Sequence, residues 1–261
     1  MTPVTSPVAL DRVAQHVAVV TIDRPDARNA INGAVTQTLR DIVDEIERDP
    51  EVWVVVLTGA GGKAFSAGAD LREVGAGRIQ SLMDPDYGFA GFVHAPRRKV
   101  WIAAIEGFAL AGGFELVLAC DLAVASETSS FGLPEVKRGL IASAGGLYRI
   151  ARALPKKVAI ELVATSGQLS AGRAFELGLL SRLAPAGGAL ATAIGLAEEI
   201  CANSPLAVRE SVAVARAADD LTEAQLRQAS EAAQARIVLT EDFKEGPRAF
   251  VEKRAPVWVG R

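Results

Sequence analysis

The chain predicts an α/β fold, and three observations carry the prediction. β-branched apolar runs alternate with helical periodicity through the first two thirds, and the run Val52–Leu57 is apolar without a break, as strands covered on both faces are. After about Leu183 the strand signal fades and helical periodicity takes over. The organisation that follows is a core over residues 1–187, which carries the candidate site, and a helical region over 188–261, joined at Ala184-Pro185-Ala186-Gly187-Gly188.

The elements can be justified in order. Val8–Val13 and Val17–Ile22 are short and β-branched, and Ala14-Gln15-His16 between them predicts a hairpin. From Asn32 to Glu47, Val35, Leu39, Ile42, Val43 and Ile46 recur at three- and four-residue spacing while Arg40, Asp41, Asp44 and Glu45 fill the other face, which predicts an amphipathic helix stopped by Asp49-Pro50. Val52–Leu57, bounded by Thr58-Gly59, then completes a strand–helix–strand unit. A second pass runs through a strand at Val100–Ile105, a helix from about Gly112 to Cys120 and a strand at Leu122–Ser126. A further pass is expected to begin with a strand near Leu140–Ala144, with Gly145-Gly146 opening a helix over Leu147–Leu154. Helices over Ala189–Ala202, Pro205–Ala218 and Leu221–Leu239 make the tail.

With 261 residues, half of them hydrophobic, the chain can bury a real core. A formal charge of -3 without long single-sign runs gives no footprint for nucleic acid. No apolar run reaches the ~20 residues of a membrane span, and MTPVTSPVAL lacks the basic start and apolar stretch of a signal peptide, so no membrane partner and a cytoplasmic location are expected. Cys120 and Cys201 read as core thiols rather than a disulfide framework.

Several chemistries find little support. Gly59-Ala60-Gly61-Gly62-Lys63-Ala64 follows a strand and fits G-x-G-x-x-A, but a small-residue loop comes next instead of a helix, and Gly62-Lys63 lacks the Ser or Thr of a phosphate loop. No G-x-S-x-G elbow occurs. His16 falls in the hairpin turn, and His94 stands near Pro96-Arg97-Arg98-Lys99, read as a solvated basic loop. No clustering of His, Cys and carboxylates predicts a metal site.

What survives is a pair of acids beside small-residue loops. Glu115 sits among Phe114, Leu116, Val117 and Leu118, where burial is costly for a carboxylate unless it is used or paired; the plain alternative is an acid placed by the helix dipole. Glu135 follows Pro134 and could be an ordinary turn acid. Phe65-Ser66-Ala67-Gly68-Ala69-Asp70-Leu71 and Ala111-Gly112-Gly113 put small residues where backbone must approach something closely, and one N–H from each loop could stabilise an oxyanion; both could equally be tight turns. Two carboxylates in a water-poor pocket can divide the work of moving a proton and activating a water.

Arg24-Pro25-Asp26-Ala27-Arg28-Asn29-Ala30-Ile31, Phe65 to Leu71, Ala109 to Leu116 and Phe131-Gly132-Leu133-Pro134-Glu135 resemble, in order and spacing, the crotonase (enoyl-CoA hydratase/isomerase) superfamily. The segment from Glu245 to Arg254 is similar to that family's C-terminus, and Gly112 to Leu116 with Glu252 to Trp258 resemble its carnitinyl-CoA dehydratase branch. The resemblance implies a crotonase-like spiral of ββα units with a C-terminal helical region that packs homotrimers, often paired into hexamers. It implies an acyl-CoA thioester as substrate, with coenzyme A part of that substrate and no further cofactor or metal. Carried over residue by residue, it implies Glu115 and Glu135 as catalytic acids and the N–H groups of Ala69 and Gly112 as the oxyanion hole. Ala27, Arg28, Ala67, Asp70 and Leu71 would border the bound CoA. Phe250 and Lys253 would meet its nucleotide end, from a neighbouring subunit.

Glutamate at both acid positions is the hydratase pattern, which implies addition of water across the double bond of a trans-2-enoyl-CoA. Carnitinyl-CoA dehydratase, double-bond isomerase and a non-catalytic binding protein on the same fold are the alternatives. Two departures stand out: Ala111 where many relatives carry glycine, read as conservative, and Ile141-Ala142-Ser143 where they often carry Ile-Pro-Gly, which alters the loop after Glu135. The segment Gly75 to Lys99, with Tyr87, Phe89 and Phe92, looks mobile; its aromatics could close over an acyl chain or pack on the core.

Overall fold

The computed structural model describes residues 6–261; residues 1–5, half of the MTPVTSPVAL segment, lie outside the described residues. The chain opens with the expected antiparallel hairpin, β1 (Val8–Ala14) and β2 (Val17–Ile22), turned at His16 with φ 65°. The His16 ring stacks on Trp53 at 3.6 Å, so its role is packing. Next, α1 (Gly33–Arg48) is capped by Asn32, whose side chain accepts from the N–H of Val35, and buries Val35, Leu39, Ile42, Val43 and Ile46, the face the periodicity predicts.

From here the chain repeats one unit: a long strand, a short strand, then a helix or turn. The first unit is β3 (Val54–Gly59), β4 (Ala64–Ser66) and α2 (Leu71–Gly75). A small hairpin, β5 (Met83–Asp84) and β6 (Gly88–Phe89), intervenes. The second unit is β7 (Val100–Ile105), β8 (Phe108–Leu110) and α3 (Gly112–Ala119). The third is β9 (Leu122–Ser126), β10 (Ser130–Gly132), a 3₁₀ turn at Glu135–Arg138 and α4 (Gly146–Ala153). The remainder is α5 (Lys156–Thr165), β11 (Leu169–Ser170), α6 (Ala171–Glu176), β12 (Arg182–Ala184) and the helices α7 (Ala189–Cys201), α8 (Pro205–Arg216), α9 (Glu223–Ile237) and α10 (Glu241–Glu252).

The long strands form one sheet in the order β1-β2-β3-β7-β9-β12, parallel except at the β1–β2 edge, and the short strands stack beside it as β11-β10-β8-β4. This is the spiral of ββα units that the family resemblance implies. Alternation along the strands feeds two cores. Val55 and Leu57 of β3 and Trp101, Ala103 and Ile105 of β7 face a core with α1, Phe65, Phe114 and Phe131. Val54, Val56, Val100, Ile102 and Ala104 face the opposite side, where Ala193 and Ala197 let α7 lie close on the sheet. Cover on both faces explains the unbroken apolar runs.

Two expectations need correction. Leu140–Ala144 is not a strand; the sheet's last position belongs to β12, paired with β9. The apolarity of Leu140 and Ile141 faces a cavity instead, and both remain exposed. The basic stretch at Arg97–Lys99 is not simply solvated. Lys99 is buried with its ammonium on the carbonyls of Ile46 and Asp49 at the end of α1, and burial pushes its pKa down to about 8. Arg97 donates to the carbonyls of Phe92 (2.6 Å) and Ala119 (2.5 Å), the latter at the end of α3, with its guanidinium 3.9 Å from the Phe92 ring centre. Both cations satisfy terminal helix carbonyls and complement the helix dipoles.

Asn29 ties the loop before α1 to the first unit. Fully buried at φ 54°, it accepts from the N–H of Arg24 (3.0 Å) and donates to the carbonyls of Ala60 (2.9 Å) and Ala64 (2.8 Å). Truncating it strands three main-chain groups, one buried and two partly buried. Asn29→Ala is therefore expected to lower unfolding free energy by roughly 2–4 kcal/mol, read from the urea midpoint at unchanged slope. Asn29→Asp, which turns an acceptor toward two carbonyls, should cost at least as much.

Candidate active site

The site begins where two backbone segments touch. Beyond β4 the chain turns at Gly68, φ 85°, where an added Cβ would lie 2.7 Å from the nitrogen of Gly112 and 2.9 Å from the Cβ of Ala111. At Gly113 an added Cβ would lie 2.2 Å from the carbonyl oxygen of Ser66. The small residues are therefore a packing requirement: side chains at these points would push the Ala69 and Gly112 loops apart. Ser66 locks the first loop, donating to the carbonyl of Asn29 (2.8 Å) and accepting from the N–H of Gly68 (3.1 Å). Ala69 and Gly112 both line the cavity, and neither N–H has a hydrogen-bond partner among the described residues.

Ala111 stands at φ 52°, ψ −131°, a region L-residues rarely adopt. Its N–H donates to Gly132 (2.9 Å) and its carbonyl accepts from Phe114 (2.8 Å) and Glu115 (3.0 Å), so both ends of the residue are fixed. Replacement of glycine here is thus not conservative for the backbone, contrary to the sequence reading; strain of this kind costs on the order of 1–3 kcal/mol.

The cavity has a volume of about 730 Å³ and contains both acids. Glu115, in the first turn of α3, is 4 % exposed and accepts from the N–H of Gly146 at 2.9 Å. Gly146 has to be small, because an added Cβ would lie 3.0 Å from the Glu115 carboxylate and 2.9 Å from the Cβ of Ala142. Burial, and secondarily the charge of Glu135, pushes the Glu115 pKa up to about 7 against the N–H groups of Gly146 and Ala144 and the charge of Arg149. Glu135, on the 3₁₀ turn after Pro134, is 9 % exposed, and its Oε2 has no hydrogen-bond partner among the described residues. Burial raises its pKa too, over the opposing pull of its own N–H and of Arg138.

Of the remaining predicted residues, Ala27, Ala67, Asp70 and Leu71 line the same cavity. Asp70 caps α2 by accepting from Arg72 N–H (3.1 Å) and pairs with Arg24 (3.1 Å). Burial works to raise its pKa, but these two partners hold it below the ordinary carboxylate range. Arg28 is not among the lining residues: its side chain is exposed, and its carbonyl accepts from the N–H of Ala67 (3.0 Å). Phe250, 84 % exposed, and Lys253, at the end of α10, do not reach the cavity of their own chain.

The other wall comes from the β5–β6 hairpin and its approach, with Ile79, Leu82, Met83 and Phe89. Main-chain bonds run within it from Ala90 to Leu82 and from His94 to Tyr87, both 2.9 Å. The three aromatics divide. The Phe89 ring lies where a Cβ on Gly112 would stand (2.5 Å), Tyr87 donates to Asp44 (2.6 Å), and Phe92 is buried edge-on to Trp101. Sequence reasoning missed Asn29, Ser66 and the Gly146 N–H; the Gly145-Gly146 pair marked a helix start without revealing which acid that N–H holds. Gly59, Gly61 and Gly62 turn β3 into β4, and an added Cβ at Gly59 would lie 2.2 Å from the Phe65 carbonyl oxygen. Among the described residues no group of three or more His, Cys, Asp or Glu could hold a metal ion, and no helix is long and apolar enough to cross a membrane.

Comparison with known proteins gives a consistent picture. The family model described as enoyl-CoA hydratase/isomerase matches residues 12–261. A mevalonyl-coenzyme A hydratase from Aspergillus fumigatus is 38 % identical over 250 residues, covering 93 % of this chain and 91 % of the relative. The crystal structure of an enoyl-CoA hydratase from Mycobacterium tuberculosis superposes with a TM-score of 0.94 at 41 % identity, covering 98 % of this chain and 100 % of that one. That of a carnitinyl-CoA hydratase from Mycobacterium avium gives a TM-score of 0.77 at 48 % identity with the same coverage.

Two stability measurements test this geometry. Ala111→Gly relieves the strained φ and should raise stability by about 1 kcal/mol, or a few degrees in Tm. For Glu115, the unfolded chain ionises near 4.5 and the folded one near 7. Between those values the folded form keeps a proton that the unfolded form has lost, so stability falls as pH rises from about 4.5 to about 7 and is level above. Glu115→Gln should therefore be more stable than wild type by up to about 3 kcal/mol at pH 8, with the difference shrinking toward zero near pH 4.5. A pH-independent difference would mean that Glu115 titrates normally.

Proposed function

The chain belongs to the enoyl-CoA hydratase/isomerase family, and from that premise we propose that it is a hydratase adding water across the 2,3 double bond of a trans-2-enoyl-CoA to give the 3-hydroxyacyl-CoA. The observation that carries this reading is the convergence on one cavity of two buried glutamates and two free main-chain N–H groups. In the proposed step the thioester oxygen accepts from Ala69 and Gly112 N–H, which draws electron density from the alkene and stabilises the enolate that forms. Glu115, as carboxylate, takes a proton from water while the oxygen bonds to C3; Glu135, as acid, gives its proton to C2. The active form thus holds one proton between the two carboxyls, and solvent exchange restores it after product leaves. Hydration is redox-neutral and coenzyme A arrives with the substrate, so the step calls on no other cofactor.

The raised pKa of Glu115 suits this work. A base that ionises near neutrality still holds a proton firmly once it has taken one, and its burial keeps it from ionising earlier. Ala27, Ala67, Asp70 and Leu71 would border the CoA arm where it enters. Arg28 would contribute its carbonyl to the Ala67 loop, with its exposed side chain left to the CoA phosphates. We take the exposed Phe250 and Lys253 to meet the nucleotide end of CoA in a neighbouring subunit of a cytoplasmic homotrimer or dimer of trimers. An apolar side chain left bare on a helix end supports that reading. We also take 188–261 to be the helical region that builds this assembly.

Hydration of crotonobetainyl-CoA is the second reading, favoured by the 48 % identity with the Mycobacterium avium carnitinyl-CoA hydratase. The lining beside the acids is mainly aliphatic, with Leu82, Met83, Leu110, Leu140 and Ile141, which ranks the apolar enoyl chain first.

Crotonyl-CoA and crotonobetainyl-CoA offered to wild type, Glu115→Gln and Glu135→Gln, with the conjugated thioester absorbance followed, decide the matter. Each substitution is expected to cut kcat by at least ~100-fold with little change in CoA binding. In wild type, kcat/KM should rise with pH through a midpoint near 7 as Glu115 ionises. Near-normal hydration by either variant would remove that residue from the mechanism. Binding of both thioesters without turnover by wild type would point to a non-catalytic protein.

A further inference from the structure

Glu115 is held by a loop, residues 139–146, that has no strand or helix before Gly146. What fixes this loop is Arg149, one turn into α4. Its Nη1 donates to the carbonyl of Ala144 (3.2 Å) and its Nη2 to the carbonyl of Val93 (2.6 Å). Ala144 is the residue whose N–H, with that of Gly146, faces the Glu115 carboxylate. Val93 closes the segment whose Phe89 ring lies against Gly112. One guanidinium therefore spans the two walls, one holding the acid and the other backing the Gly112 N–H. The fit is close: at Gly145, φ 108°, an added Cβ would lie 2.2 Å from Nη1. Both bonds go to main-chain carbonyls, so the positive charge is left to act on the groups around it.

We propose that Arg149 is a positioning residue for this site, clamping the Glu115 loop to the Phe89 wall and setting the field in which Glu115 works. The proposal rests on the hydratase reading above. The planar fork matters, because two carbonyls on separate segments need two donors at fixed spacing, which an ammonium does not supply. The charged groups that line the cavity with Glu115 are Glu135, Asp70, Arg72 and Arg138. Glu135 opposes ionisation of Glu115 and Arg149 favours it. On its other side Arg149 works with burial to keep His94 below its ordinary pKa and also bears on Arg97.

The test compares Arg149→Lys and Arg149→Met with wild type by three readouts: kcat/KM for crotonyl-CoA against pH, carbon NMR titration of the Glu115 carboxyl, and thermal unfolding. Losing the cation should carry the Glu115 titration, and with it the rising limb of the rate profile, to higher pH in the Met variant. Its kcat at pH 7 should fall by at least about tenfold while KM changes little. The Lys variant should keep the limb near its wild-type position and still lose rate, because it reaches one carbonyl only. Should the Met variant not fold, Arg149→Gln, neutral but able to donate to one carbonyl, makes the same comparison. An unmoved Glu115 titration in a folded neutral variant overturns the proposal, even if stability drops. If wild type hydrates no enoyl-CoA while the titration moves as described, the hydratase reading fails and the clamp stands.

Discussion

Everything in the site follows from a close approach of two pieces of main chain. The loop after β4 and the start of α3 meet at Gly68 against Gly112 and Ser66 against Gly113, with no room for a side chain between them. That contact leaves two N–H groups, Ala69 and Gly112, at one end of the cavity, and it fixes where α3 begins. Because Glu115 lies in the first turn of α3, the same contact fixes the acid relative to those donors. A hydrogen-bond donor stabilises developing charge only if it needs no rearrangement when the charge appears, and rigid backbone packing meets that condition better than any side chain.

This arrangement is stable only at a cost that other parts of the fold offset. Ala111 sits in a strained conformation, Glu115 is buried beside a second acid, and Glu135 keeps an oxygen without a partner. Set against these are two continuous cores on either face of a mainly parallel sheet, the buried Asn29 network and the cations that close α1 and α3. The distribution is what function requires. Apolar residues far from the cavity supply the stability, and the groups at the cavity hold the unfavourable states that raise both carboxyls above their ordinary range.

Much of this was legible in the sequence, and the parts that were not share a cause. The strands β3, β7 and β9 and the helix α1 each bury a full face, so periodicity finds them. The short strands β4, β8 and β10 have three residues each, too few for any period to register, and they emerged only through the family resemblance. Leu140 and Ile141 read as a strand because apolarity alone does not say whether a sheet or a ligand lies opposite. Arg97 and Lys99 read as solvated because their partners are carbonyls at the ends of remote helices, which composition does not reveal. Both acids were found for a physical reason that survives in the structure: a carboxylate among apolar neighbours is expensive. The holding groups were not found, since a backbone N–H such as that of Gly146 carries no side-chain signature.

On the proposed function, a division between what would perform the chemistry and what would select the acyl group also follows from this build. The Ala69 and Gly112 N–H groups and Glu115 are set by the packed contact and by α3, elements that cannot shift without disturbing the core, while Glu135 stands on the 3₁₀ turn after β10. In that reading the acyl group would meet different material: Ile79, Leu82, Met83 and Phe89 on one side, and Leu140, Ile141 and Ser143 on the loop after Glu135 on the other. Neither wall contributes a long sheet strand, and several of their side chains are exposed, so substitutions there carry little penalty in the core. A fold of this kind can change its acyl partner while its proton chemistry stays fixed. Relatives with mevalonyl, enoyl and carnitinyl names share 38–48 % identity with this chain. Among the described residues Ser143 is the one uncharged polar side chain on the cavity wall, and it lies on that loop.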